Sequence, residues 1–237
     1  MLKKQLILKD PLSFLGYETE ETEKKGSFGA VTSRAGVGKT AFSVQIAISS
    51  LLKDKNVLHV SIQDPVDKVN LWYKELFLNL TRDHDVKQSK QLWESLLTKR
   101  FIMTFETESF DFSKLISRID EFSTQKIFIP QLIILDGLTV ENSMQPELNI
   151  LKAYARKNNL TVWFSIRTHR HQADDPVTLL KQFDTDDNQS LFNMIIQLMP
   201  YKDKIQVKRL SIDGQLNNQP PLLIDPSTMM IKETTEE

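Results

Sequence analysis

Ser33-Arg34-Ala35-Gly36-Val37-Gly38-Lys39-Thr40 decides the fold, with Phe28-Gly29-Ala30-Val31-Thr32 before it and Ala41-Phe42-Ser43-Val44 after it. Residues Phe28 to Thr32 read as a short buried strand. Thr40 to Leu52 is apolar nearly all round, as a buried helix is. A strand, a Gly-bearing turn and a helix in that order make a phosphate cradle. Gly36 and Gly38 let the backbone curl so that successive N–H groups point inward. The positive end of the following helix adds to the attraction for anions. Lys39 is expected to reach the outer phosphates of a nucleotide, and the Thr40 hydroxyl to ligate Mg²⁺. The nucleotide-binding set is Ser33, Arg34, Ala35, Gly36, Val37, Gly38, Lys39 and Thr40, with Ser33 standing where the pattern usually has its first Gly.

Outward from this loop, Leu132-Ile133-Ile134-Leu135 is apolar on both faces, as a central parallel strand is, and Asp136 ends the run. An acid there is placed to hold Mg²⁺ together with Thr40, directly or through a bound water. Val57 to Ile62 reads as a second strand stopped by Asp64-Pro65, and Val66 to Thr98 as one helical stretch. Phe101 to Phe105 is a strand, and Phe112, Leu115, Ile116, Ile119 and Phe122 recur at helical spacing behind Asp111, a natural N-cap. Leu148 to Lys157 is helical and Leu160 to Ile166 is another strand. Two late strands lie around Phe192 to Leu198 and Ile205 to Leu210. The alternation predicts an α/β fold: a mainly parallel twisted sheet flanked by helices, with an antiparallel extension at one edge. Residues 1–25, with a turn at Asp10-Pro11 and a charge run from Glu18 to Lys25, read as an N-terminal segment ahead of a domain spanning 26–237.

The 237 residues suit one large domain, and 40% hydrophobic with 26% charged residues excludes a disordered chain, a fibre or a disulfide-rich scaffold. Lys+Arg of 30 against Asp+Glu of 31 gives a net charge of −1, which provides no overall attraction to nucleic acid or anionic lipid. The absence of cysteine excludes disulfides, thiolate zinc sites and cysteine nucleophiles. No apolar run approaches the ~20 residues of a membrane span, so a cytoplasmic protein is expected. The segment Arg167 to Ser190 carries three basic residues against five aspartates, which argues against a DNA-gripping loop. His169 and His171 in it read as surface residues, and Trp72, Trp93 and Trp163 as core.

The order of these motifs resembles that of the RecA-like ATPases, in particular their KaiC-like and DnaB-like branch. The residues that carry the resemblance are the loop 33–40, Val57 to Gln63, Leu132 to Asp136, Leu151 to Arg156, Thr161 to Ser165 and Ile205 to Arg209. The resemblance implies a RecA-like domain that binds ATP with Mg²⁺. It also implies that the strand ending near Ser165 lies between the phosphate-loop strand and the Asp136 strand, which would set Ser165 and Arg167 beside the γ-phosphate. In that family the second strand usually ends in a Glu that activates water; here Gln63 stands there with Asp64 beside it. An amide can orient a water but cannot take its proton. The family also places basic residues of a late strand at a neighbouring subunit's nucleotide; Lys208 and Arg209 are adjacent and would face opposite sides of a strand. Arg34 is also compatible with ParA/MinD-type loops, but the acids those proteins need near Ser61 and Ile62 are missing.

Three functions are expected on these grounds. The first is an ATPase acting as a switch or motor, slow in hydrolysis, with Lys39, Gln63, Asp64, Asp136 and Ser165 as its catalytic set. The second is a nucleotide-binding regulatory or scaffold protein that does not hydrolyse. The third is a helicase- or recombinase-like ATPase, which the charge of residues 167–190 does not support. The expected partners are ATP, a second copy of the chain at the nucleotide face, and a protein partner.

Overall fold

A computed structural model describes residues 2–16, 26–139, 144–168, 191–212, 215–216 and 221–232. The sheet grows outward from β1 (Phe28–Ser33), all six of whose residues are buried. On one side β1 pairs in parallel with β5 (Thr161–Arg167), and on the other with β6 (Met194–Tyr201). Beyond β5 come β4 (Leu132–Leu138), β2 (Val57–Ser61) and β3 (Arg100–Thr104), all parallel. Past β6 the direction reverses. β7 (Lys204–Ile212) runs antiparallel to it, followed by β9 (Leu222–Ile224) and β10 (Ile231–Lys232), while β8 (Gln215–Leu216) pairs with β7. The order is β10-β9-β7-β6-β1-β5-β4-β2-β3, so β5 does lie between β1 and β4. This is the expected α/β architecture, a mainly parallel sheet with an antiparallel edge.

Successive side chains of a strand point to opposite faces, and each face has its own core. Val57, Leu132, Ile134 and Trp163 pack with α3 (Lys39–Leu52), α4 (Val66–Leu80) and α5 (Val86–Leu97). Leu58, Val60, Ile133, Leu135 and Phe164 pack with α6 (Phe112–Thr124) and α7 (Gln145–Asn158). Asp111 caps α6 as its position predicts, its carboxylate accepting from the Ser113 amide at 2.6 Å.

The structure departs from the sequence reading at several element ends. The stretch Val66 to Thr98 is two helices, because Asp85 starts α5 with its carboxylate accepting from the Gln88 amide at 2.8 Å. β4 runs on through Asp136 to Leu138, with a register shift at Gly137, whose φ is 91°. Residues 2–15 form α1 (Leu2–Ile7) and α2 (Pro11–Phe14), and Leu2, Leu6, Leu12 and Leu15 join the core around α3. Asp10-Pro11 starts a helix there, with Pro11 at the first position, where a missing N–H costs nothing. The buried Asp10 carboxylate accepts from the Leu12 amide at 3.0 Å and pairs with Lys53 at 2.5 Å. A break at residue 25 therefore does not divide the core.

Gly29 faces the α3 side of β1, directly opposite Trp163 of β5. A Cβ built there meets the indole ring at 2.6 Å, and the ring is fixed in the core. Gly29→Ala is expected to destabilise the fold by about 1–3 kcal/mol through overpacking. Urea unfolding of the variant and the parent reads this; an unchanged midpoint would contradict the packing described.

Candidate functional site

The α3 side of the sheet collects polar residues at its carboxyl edge. Ser61 pairs with Asp136, and Asp136 with Ser165, in the registers of β2–β4 and β4–β5. In a parallel sheet residues so aligned share a face, and Val57, Ile134 and Trp163 fix it as the face that α3 covers. The connection after β1 turns to α3 on this face, whereas that after β4 leads to α7 on the other. A crevice at the strand ends, where successive connections part to opposite faces, is the ordinary place for a ligand in such a sheet. The cleft there encloses about 850 Å³ out to its open mouth. It is lined by Ala35, Gly36, Gly38, Lys39, Thr40, Ser61, Gln63, Asp64, Lys68, Trp72, Asp136, Gly137, Ser165 and Arg167.

Gly36 and Gly38 have φ of 78° and 108°, so the loop uses the left-handed conformations that glycine permits. Gly38 is also the N-cap of α3 and has no side chain to give, so no side chain caps that helix end. Its first amides are left to an anion. A Cβ on Gly38 would meet Met229 Cε at 2.5 Å, because the turn between β9 and β10 packs behind the loop. Gln45 of α3 holds that turn by donating to the Met229 carbonyl at 2.6 Å.

The Lys39 ammonium donates to the carbonyls of Ser33 and Arg34 at 3.1 and 3.0 Å and to the Ser33 hydroxyl at 3.2 Å. Ser33, in place of a first Gly, thus braces the lysine. Burial pushes the Lys39 pKa down to about 8, against the opposing pull of the Asp136 carboxylate, with Arg167 adding a smaller push downward. Asp136 is itself buried, and its carboxylate has no hydrogen-bond or ion-pair partner among the described residues. The buried Ser165 hydroxyl is likewise without a partner. Orphaned polar groups beside a lysine that is costly to keep charged make a site that gains by admitting a polar ligand.

β2 stops at Ser61, one residue earlier than the sequence suggests. The turn that follows is closed by Ser61, whose hydroxyl accepts from the Asp64 amide at 3.0 Å and donates to the Asp64 carbonyl at 2.8 Å. The turn, rather than strand alternation, brings both Gln63 and Asp64 to the cleft. The Gln63 amide nitrogen donates to the Gly137 carbonyl at 3.2 Å, next to Asp136, which leaves its amide oxygen as an acceptor. The Asp64 carboxylate pairs instead with Lys68 of α4 at 2.8 Å. Of the two late basic residues, Arg209 donates to the Leu15 carbonyl of the N-terminal helices and only Lys208 is exposed. His169, His171 and the acidic stretch lie outside the described residues.

Sequence reasoning missed Ser61, Lys68, Trp72 and Gly137. Ser61 had a signal, since it is a polar residue closing the largely apolar run Val57 to Val60, as Asp136 closes Leu132 to Leu135. Trp72 is half-buried with its ring at the cleft rather than wholly in the core. Beneath the cleft, His59 of β2 is fully buried, with Nδ1 3.2 Å from the Tyr73 hydroxyl. Burial pushes its pKa down to about 4, so it stays neutral under the floor of the site.

No protein-family model matches this chain, and no curated protein is significantly similar to it. Among the described residues no helix is long and apolar enough to cross a membrane.

Phosphate oxygens brought against Lys39 restore the charge that burial disfavours. At pH 8, near its depressed pKa, Lys39 is about half protonated, so binding a polyphosphate is expected to take up a fraction of a proton. At pH 6.5 the lysine is already charged and its uptake vanishes. Calorimetry in buffers of different ionisation enthalpy measures this; equal proton uptake at both pH values would contradict the environment described for Lys39.

Proposed function

We propose that this chain is a RecA-like ATPase: it binds ATP with Mg²⁺ in the cleft after β1 and hydrolyses it slowly, as a switch or motor does. The observation that carries this reading is the meeting, at one sheet edge, of the glycine loop with Lys39, Asp136 and Ser165, the last two without hydrogen-bond partners among the described residues. The strand order, with β5 between β1 and β4, supports the RecA-like assignment.

The donor set fits Mg²⁺. Thr40 and Asp136 offer hard oxygens, and the described residues contain no cluster of three or more acidic or histidine side chains that could cage a cation. Mg²⁺ suits such a site, because it is commonly held by one or two protein oxygens, waters and substrate phosphates. When bound it neutralises charge on the β- and γ-phosphates. The chain's own groups do the rest. The loop amides and Lys39 hold the phosphates, and Ser165 and Arg167 reach the same cleft from β5.

Gln63 sets the rate in this account. With its nitrogen held by Gly137, its amide oxygen can accept from a water and orient it without taking the proton. Asp64, held by Lys68, ties the turn to α4. Because phosphoryl transfer passes through a loose transition state, positioning alone retains part of the rate. General-base assistance is worth ~10²–10⁴-fold, and its loss places turnover well below ~1 s⁻¹. A nucleotide-binding regulator without turnover is the second reading, and the same Gln63 favours it.

A phosphate-release assay with purified protein separates the two, with Lys39→Ala as the blank. Lys39→Ala is expected to weaken ATP binding roughly ten- to hundred-fold, the worth of a charge-assisted contact of about 1.5–3 kcal/mol. Gln63→Glu is expected to speed hydrolysis, and Asp64→Asn to change it little. A dead Asp64→Asn beside an indifferent Gln63→Glu would make Asp64 the base. Unchanged binding by Lys39→Ala would reject the nucleotide site.

A further inference from the structure

α4 and α5 are joined by the short connector Thr81 to Asp85, and an open groove of about 720 Å³ lies between them, sharing no lining residue with the cleft after β1. Its walls are two helical stripes. Lys74, Phe77, Leu78, Thr81 and Arg82 come from α4 and its end, Val86, Ser89, Lys90 and Trp93 from α5, and His84 of the connector closes one end. Both sets recur at steps of three and four, so each wall is one helix face, about 12 Å long at 1.5 Å per residue.

The floor is apolar. Phe77 and Trp93 meet there with ring centroids 5.0 Å apart. The two hydroxyls beside them are turned back into their own backbones, Thr81 to the Phe77 carbonyl and Ser89 to the Asp85 carbonyl, each at 2.8 Å. The floor therefore asks for no polar ligand. Apolar surface reaches the rim, where Leu78 and Val86 are 56% and 81% exposed. The charge has one sign. Lys74, Arg82 and Lys90 border the groove, exposed, with no ion-pair partner among the described residues, while no carboxylate lines it. Of the connector's two carboxylates, Asp85 is engaged as the cap of α5 and Asp83 is exposed outside the lining.

We propose that this α4–α5 groove docks an amphipathic helix of a partner protein, one whose apolar stripe is flanked by carboxylates. A helix laid in a groove is read through anchors at i, i+3, i+4 and i+7, which is the spacing of both walls. Two apolar-floored walls about 12 Å long, with Leu78 and Val86 exposed at the rim, match one face of a helix. The flanking cations select acidic partners and speed their encounter, with a strength that falls as salt rises. The inference does not depend on the nucleotide reading, since none of these residues lines the cleft after β1.

The probe is a fluorescein-labelled 18-residue helical peptide with leucines at i, i+3, i+4 and i+7, glutamates flanking them and alanines behind. Its control carries lysines in place of the glutamates. Fluorescence anisotropy is expected to show saturable binding of the acidic peptide to the full chain, at least tenfold tighter than the basic one and weakened by 0.5 M salt. The double variant Lys74→Glu/Lys90→Glu should lose at least tenfold for the acidic peptide, while its circular dichroism and ATP affinity match the parent. Equal affinities for the two peptides, no binding of either, or an indifferent double variant would overturn the proposal. Light scattering that shows a self-associated protein, made monomeric by Val86→Asp, would also overturn it, because the groove would then belong to a second copy.

Discussion

Parallel pairing of β1 with β5, and of β5 with β4, is the constraint on which the site rests. It sets Val31, Ser165 and Asp136 in one row, and pairing of β4 with β2 adds Ser61. The carboxyl ends of these strands then face the first turn of α3 across a single cleft. No long side chain needs to reach and no loop needs to fold over. The close approach of Trp163 to Gly29 belongs to the same constraint, because a larger residue on β1 would push the two strands apart where the row begins.

The cleft is held in a state of electrostatic want. Its lysine is kept on backbone carbonyls and loses part of its affinity for the proton through burial. Asp136 and Ser165 wait without partners among the described residues. The second strand's end is, by contrast, fully tied: Ser61 closes the turn, Gln63 grips the bulge at Gly137, and Asp64 grips α4 through Lys68. Asp136 and Ser165 are without partners among the described residues, and the groups at the end of the second strand are fastened. That division is what the proposed reading, nucleotide binding with slow hydrolysis, rests on. α4 carries one end of this arrangement and, on its other half, one wall of the cationic groove.

The glycine turn between β1 and α3 was legible because its residue types are dictated by backbone geometry: the positive φ of Gly36 and Gly38 leaves a mark in the sequence. Asp136 was legible because a strand buried on both faces is a continuous apolar run, and a polar residue after it stands out. Asp64 was named as a site residue, but its pairing with Lys68 was not legible, since the turn that sets its direction is closed by a two-way hydrogen bond with Ser61, three residues away, which strand alternation does not foresee. The division between α4 and α5 was missed although the polar run Thr81 to Asp85 interrupts the apolar spacing, because that run holds neither Gly nor Pro and the break is made by the Asp85 cap. The N-terminal helices escaped notice for a different reason. They are too short to show a period, and what fixes them is the contact of four leucines with α3 and the Asp10–Lys53 pair. The small β8, β9 and β10 leave too few residues for any alternation to appear.

Hydrogen–deuterium exchange of the full chain, with and without Mg²⁺-ATP, tests the central claim most directly. The account predicts slowed exchange in the amides of residues 34–41, which form the loop and the uncapped start of α3, together with residues 62–64 and 136–138 at the neighbouring strand ends. Protection confined to other parts of the sheet, or no change at saturating nucleotide, would contradict a nucleotide site after β1.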